Sequence, residues 1–333
     1  MGSVTILCSL DEVEVKHTGR DAFSGETWVP WSDWTCLNLL FTAPRQTERV
    51  LRSLPMVVLI ALLSGYSGAA PAVAGVVTHG SRTLPRVALT FDADMTPGMA
   101  RALASGKVLS YDNVAVRQIL RATHTPATFF LTGMWAELYP QPAREIAQDP
   151  LFEVEDHSYD HPGFAQPCFG LAPIAADYKA ANVRRSQLAI ARATGRTPRY
   201  FRFPGGCASA EDVAMAARLG LVTVHWDVIS GDAGQTNPQV IIRNVLQSTC
   251  NGSIIVMHSH GGRAPSTALA LPAIISGLKA RGFSFVTIKQ LLEHHSLEQP
   301  YGLPCTFGHG HASLPTRVEA GQSLTQSAAQ MSR

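Results

Sequence analysis

Charge is scarce in this chain. Only 16% of its 333 residues are Asp, Glu, Lys or Arg, and 27 basic against 25 acidic side chains leave a net charge of +2. Such a balance offers no general electrostatic case for nucleic acid or an anionic membrane. The 27 glycines follow no fixed period, which excludes collagen-like repeats, and no other internal repeat occurs. A Gly-x-Ser-x-Gly elbow is missing as well, which disfavours serine hydrolysis. What is plentiful is apolar residue: 46% of the chain, enough to exclude wholesale disorder. The length suits one large α/β domain with flanking segments, or two ordinary domains.

Cysteines are few, six in all, and one apolar segment bears on them. Arg45, Arg49 and Arg52 precede the run Met56–Leu63, and small residues follow to Ala72-Val73-Ala74. A basic flank, a short apolar core and an Ala-x-Ala site describe a secretory signal peptide over 51–74. Extended to Val77, the stretch approaches spanning length and reads as a membrane anchor, and a buried helix is the third option. Residues 1–50 show no clear periodicity and read as an irregular extension, the true start being expected near Val50 or Met56. After cleavage, Cys168, Cys207, Cys250 and Cys305 remain, an even number suited to an oxidising compartment, with three pairings open. The tail 299–333, rich in Ser, Gly, Pro and Gln, is expected to be disordered.

Within 85–295 short apolar runs alternate with helical stretches. Strands are expected at Val87–Phe91, Ala127–Leu131, Phe152–Glu155, Tyr200–Phe203, Val222–Trp226, Ile254–Met257 and Ser284–Thr287. Helices are expected at Ala175–Thr194, Asp212–Leu219, Ile241–Leu246 and Ala268–Ala280, with Ser209 and Asp212 arranged as a capping pair. Seven βα alternations predict a parallel sheet, most simply a barrel or near-barrel. Chemistry in such folds sits at the C-terminal ends of the strands.

Five of the strand ends there carry polar groups. The first gives Asp92-Ala93-Asp94; residues two apart on an extended chain point the same way, and two close carboxylates need a proton, a metal or a cation. A solvated loop with Asp94 as a cap is the plainer reading. His157 and His161 end the third, four apart, a spacing that suits one metal ion, though surface histidines also occur this way. Pro162 argues against a metalloprotease-type helix. The fourth carries Arg202 inside an apolar strand, which needs a carboxylate partner, and then Pro204-Gly205-Gly206. Asp232 follows the fifth, and His258-Ser259-His260 ends the sixth. Independent accidents at five strand ends are improbable.

Taken in order, these segments resemble the motifs of the polysaccharide deacetylases, the NodB-homology domain of carbohydrate esterase family four. Thr90-Phe91-Asp92-Ala93-Asp94 is similar to T-F-D-D-G, and His157–Pro162 matches H-S/T-x-x-H-P. Arg199–Gly206 resembles R-x-F-R-x-P-x-G, Ser230-Gly231-Asp232 the D-x-x-D-W region, and Val256-Met257-His258 the L-x-H motif. The resemblance covers about Arg86 to Leu292 and implies an α/β fold, a distorted (β/α)7 barrel of the NodB-homology type. It departs in three places: the second Asp stands one residue late, Ile229 and Ala233 replace an Asp and a Trp, and Asp156 replaces an Asn.

On this resemblance Asp94, His157 and His161 hold a divalent metal, zinc first, with cobalt or nickel as alternatives. Asp92 is the general base, oriented by Arg202, with Asp232 expected to pair with Arg202 from the other side. Gly205 offers a backbone N–H to the oxyanion, Val256 lines an acetyl-methyl pocket, and Tyr159 contacts substrate. His258 is the general acid, and His260 is expected at the rim because Gly261-Gly262 suggests a turn. A Cys168–Cys207 disulfide is expected, both residues following strand-end motifs of neighbouring strands. Cys250 is expected at the opposite end of the barrel. The implied function is secreted, periplasmic or cell-envelope deacetylation of N-acetylglucosamine in a chitin-type glycan or peptidoglycan. The partner is then the acetylated glycan, with no nucleic acid, and a membrane only if the apolar segment stays uncleaved. Acetylxylan-type O-esterase activity and a catalytically inactive glycan-binding barrel are the alternatives. An iron oxygenase with the same ligand types is disfavoured by the βα alternation.

Overall fold

The computed structural model describes residues 3–8, 13–18, 75–260 and 264–293. The apolar segment 51–74 and the tail 299–333 lie outside the described residues. The chain divides into two compact units, Met1–Gly68 and Ala69–Arg333. In the first, β1 (Ser3–Cys8) and β2 (Val13–Thr18) pair antiparallel, with Ser3 opposite Thr18. This departs from the irregular extension expected there. The alternation of Val13 and Val15 with Glu14 and Lys16 is the period-two pattern of a strand.

The second unit runs β3 (Val76–Val77), β4 (Arg86–Ala93), α1 (Pro97–Ala104), α2 (Val114–Ala122), β5 (Ala127–Leu131), α3 (Gly133–Leu138), α4 (Pro140–Gln148) and β6 (Phe152–Asp156). It continues with α5 (Lys179–Thr194), β7 (Tyr200–Phe201), α6 (Ala210–Arg218), β8 (Val222–Val224), β9 (Val228–Ile229) and α7 (Pro238–Ser248). The last elements are β10 (Ile254–His258), α8 (Thr267–Ala280), β11 (Ser284–Phe285) and α9 (Ile288–Leu292). Eight strands lie in the order β3-β8-β7-β6-β5-β4-β10-β9, all pairs parallel, and β11 joins the start of β4. The expected distorted barrel is thus a curled half-barrel with helices packed on it. No helix among the described residues is long and apolar enough to cross a membrane.

The central strands are buried on both faces, which is why they read as unbroken apolar runs. Leu89, Phe91, Phe129, Leu131, Val154, Ile255 and Met257 join α2, α4, α7 and α8 in the outer core. Ala88, Phe130, Tyr200, Val224 and Ile254 form a second cluster, with Ile288 and Leu291 of α9. Alternation along the strands therefore carries Asp92 and His258 on the face of Ala88 and Ile254, the concave face. All seven expected strands are present. Two short ones, β3 and β9, were not foreseen, and β7 stops at Phe201, ahead of the turn at Gly205 and Gly206, whose φ are 62° and 69°. Ser209 and Asp212 form the expected capping box of α6.

Candidate metal centre

β4 delivers the two acidic groups. Asp92 is 3% exposed and accepts from Arg202 Nη1 at Oδ1, 2.6 Å away, as expected. Arg202 is fully buried; its remaining N–H groups donate to the Val224 and His225 carbonyls, and its guanidinium lies 3.9 Å over the Phe130 ring. Asp94 faces three imidazoles. His157 Nε2 lies 3.5 Å and His161 Nε2 3.4 Å from Oδ1, while His260 Nε2 lies 3.2 Å from Oδ2. Burial pushes the Asp94 carboxyl up, yet the charges of His161 and His260 outweigh this and hold it well below the usual carboxylate range. Burial lowers His161 to about 4, with His157 adding to the effect against the opposing charge of Asp94.

The two histidines after β6 reach this point through a bent loop, neither helix nor strand. Ser158 and His161 hold φ of 68° and 60°, a region that side chains disfavour. Asp156 pins the bend: its Oδ1 accepts from Ser158 N–H and from the Ser186 hydroxyl. Burial raises the Asp156 carboxyl to about 7 in spite of those bonds. The Asn-to-Asp departure therefore sits in the scaffold of the His157–His161 loop. His157 Nδ1 lies 2.8 Å from the Arg202 carbonyl, the kind of outer contact that orients a ligating imidazole.

Three expectations need correcting. Asp232 does not pair with Arg202: its Oδ1 takes His258 Nδ1 at 2.8 Å and its Oδ2 takes His258 N–H, with Thr267 also donating to it. The sheet order explains this, since β9 borders β10 and lies far along the sheet from β7. His260 is no rim residue but 2% exposed. Ser259 N–H donates to the Asp92 carbonyl at 2.9 Å, so pairing with β4 runs past His258 and keeps His260 on the same face as His258. Tyr159, expected to contact substrate, is 5% exposed, with its hydroxyl donating to Glu137 and accepting from Arg185. It packs the loop against α3 and α5.

The Asp232 pairing acts on His258 directly. Burial lowers the imidazole, but the charge and hydrogen bond of Asp232 more than reverse this and raise it to about 10. Val256 is buried one alternation before His258. The expected Cys168–Cys207 disulfide is present, and it crowds Gly205, where a Cβ would meet Cys168 Sγ at 2.9 Å. Cys250 is disulfide-bonded too, and sits near Arg82 and Ser253 at the opposite end of the strands. A groove of about 830 Å³ has His161 in its wall, with Met99, Arg101, Tyr111, Asp160 and Leu171.

The donor set fits a divalent cation. Asp94 Oδ1 is buried without a hydrogen-bond partner, and His157 and His161 present Nε2 to it. Ligands 2.0–2.1 Å from a tetrahedral zinc stand about 3.4 Å apart, close to the 3.4 and 3.5 Å found here.

Comparison with known proteins agrees with this geometry. The polysaccharide deacetylase family model matches residues 79–224. A chitooligosaccharide deacetylase of Azorhizobium caulinodans is 30% identical over 183 residues, 51% of this chain and 83% of the relative. Against two other curated relatives the chain spans 52% and 61% of their length. The crystal structure of a peptidoglycan N-acetylglucosamine deacetylase superposes with a TM-score of 0.56 at 26% identity, over 65% of this chain and 92% of that one. A CE4 family pseudoenzyme from Bacillus anthracis gives 0.55 at 26% identity, over 66% and 70%.

Proposed function

The chain belongs to the CE4 polysaccharide deacetylases, the NodB homology family, and from that premise we propose that it hydrolyses N-acetyl groups of a glycan built on N-acetylglucosamine. The observation that carries the reading is the meeting of Asp94, His157 and His161 beside an Arg202-held Asp92 and an Asp232-held His258. A divalent ion on the first three, zinc in our reading, supplies Lewis acidity and a more acidic water. Arg202 occupies Asp92 Oδ1 and leaves Oδ2, 3.6 Å from His157 Nε2, to take a proton as general base. Asp232 holds His258 Nδ1 and leaves Nε2, protonated at neutral pH, to serve the departing amine. The Gly205 N–H and Val256 are proposed for the oxyanion and the acetyl methyl group. The groove beside His161 is proposed to hold the neighbouring sugars.

Retention of Asp92, Arg202, Asp232 and His258 favours a working enzyme over a pseudoenzyme. The basic-flanked apolar segment and the disulfide support export to the cell envelope or beyond, since disulfides persist in oxidising compartments. Acetate release from chitooligosaccharides, peptidoglycan and acetylxylan tests the substrate class. Release from the first two but not xylan is expected, and xylan alone would replace this reading by an O-esterase.

A further inference from the structure

The two oxygens of Asp94 have different neighbours. Oδ1 faces His157 and His161, whereas Oδ2 faces His260. The donor atoms of Asp94, His258 and His260 all lie within 4.8 Å of one another, the same condition that Asp94, His157 and His161 meet. Behind His258 stands Asp232 on Nδ1, the carboxylate–imidazole pairing that fixes the tautomer of a metal ligand. His260 Nδ1 is buried with no hydrogen-bond partner, and the ring meets that of His258 edge-on at 5.3 Å. His258 is 18% exposed at its side chain, which leaves this half of the cluster open to entry.

We propose that the chain has a second divalent-cation site, made of Asp94 Oδ2, His258 and His260, which shares the Asp94 carboxylate with the first. A bridging carboxylate sets two ions about 3.5–4 Å apart, the spacing of two-metal hydrolase sites. Two imidazoles and one carboxylate suit zinc, cobalt or nickel better than calcium or magnesium. The consequence for catalysis rests on the deacetylase reading. An ion on His258 Nε2 displaces to solvent the proton that this nitrogen would carry to the leaving amine. Filling the second site therefore inhibits, and activity passes through a maximum as metal is added.

Zinc chloride titrated into the chelator-stripped full chain, with bound metal counted by mass spectrometry after desalting, tests the site. Two ions are expected, the second weaker because its carboxylate is already shared. His260→Gln keeps the volume and a donor toward Asp94 while removing the ligand nitrogen. It should bind one ion in the same range, with the second step weakened by more than about 100-fold, the upper end of what losing a supporting residue alone costs. Its melting curve checks that it folds, and the wild-type count stands without it. Acetate release measured alongside should rise through the first ion and fall through the second, the fall disappearing in His260→Gln. One ion in the wild type, or two equal ions in both proteins, would overturn the proposal. Two ions without acetate release at any zinc level would leave the site standing and remove the deacetylase reading. One ion with acetate release would do the reverse.

Discussion

His258 carries the clearest consequence of the corrected pairing. Its Nδ1 is fixed by Asp232, so its other nitrogen is the one available for proton transfer. Replacing it by Ala should lower kcat by about 10²–10⁴-fold with the first metal ion retained, since general acid catalysis is worth that much. The loss should shrink on an activated acetyl ester, whose leaving group needs no proton. Asp232→Asn should follow the same pattern in milder form, and unchanged kcat in both variants would remove His258 from the mechanism. His225 supplies a pH test elsewhere. Burial, with the charge of Arg202 adding to it, lowers this imidazole to about 3. The unfolded chain takes up that proton near 6.5, so between about 6.5 and 3 it binds more protons than the folded one. Stability should fall with acidification across that window, by up to about 1.4 kcal/mol per pH unit for this group. Denaturant melts of His225→Gln should show a shallower fall than wild type; equal slopes would contradict the assignment. The partners of Asp232 and His260 were illegible in sequence for one reason. Both depend on which strands are neighbours and how far the β4–β10 pairing continues, and neither is a local property.

Among elements, the loop after β6 and the turn after β7 are joined by Cys168–Cys207, 39 residues apart. Cross-linking a loop of that size contributes roughly 2–4 kcal/mol, chiefly by restricting the unfolded chain. Cys168→Ser with Cys207→Ser should lower Tm accordingly, and a melting curve unmoved by the pair would mean that the link constrains nothing. The pairing was legible because both cysteines follow strand-end motifs on adjacent strands. The long strands were legible for a related reason: Val87–Phe91 and Ala127–Leu131 are apolar on both faces in a sheet covered on both faces. The two-residue strands β3 and β9 have no such signature. Their pairing follows from the curl of the sheet, which no short window contains. The His157–His161 loop was legible as a motif but not as a shape, because Ser158 and His161 hold conformations that their residue types disfavour.

At the scale of the molecule, the half-barrel gathers groups from β4, the loop after β6 and the end of β10 around Asp94. The chain order of those groups, more than any one of them, made the fold family legible, while the polymer proposed for the groove beside His161 left no comparable mark. The most direct measurement is acetate release from a chitooligosaccharide by the full chain before chelation, after chelation, and after return of one equivalent of zinc, with His157→Ala carried in parallel. The account predicts release, its loss, and its recovery in the wild type, together with loss of bound metal and of release in the variant. Release that survives removal of all metal, or full metal occupancy in His157→Ala, would contradict it.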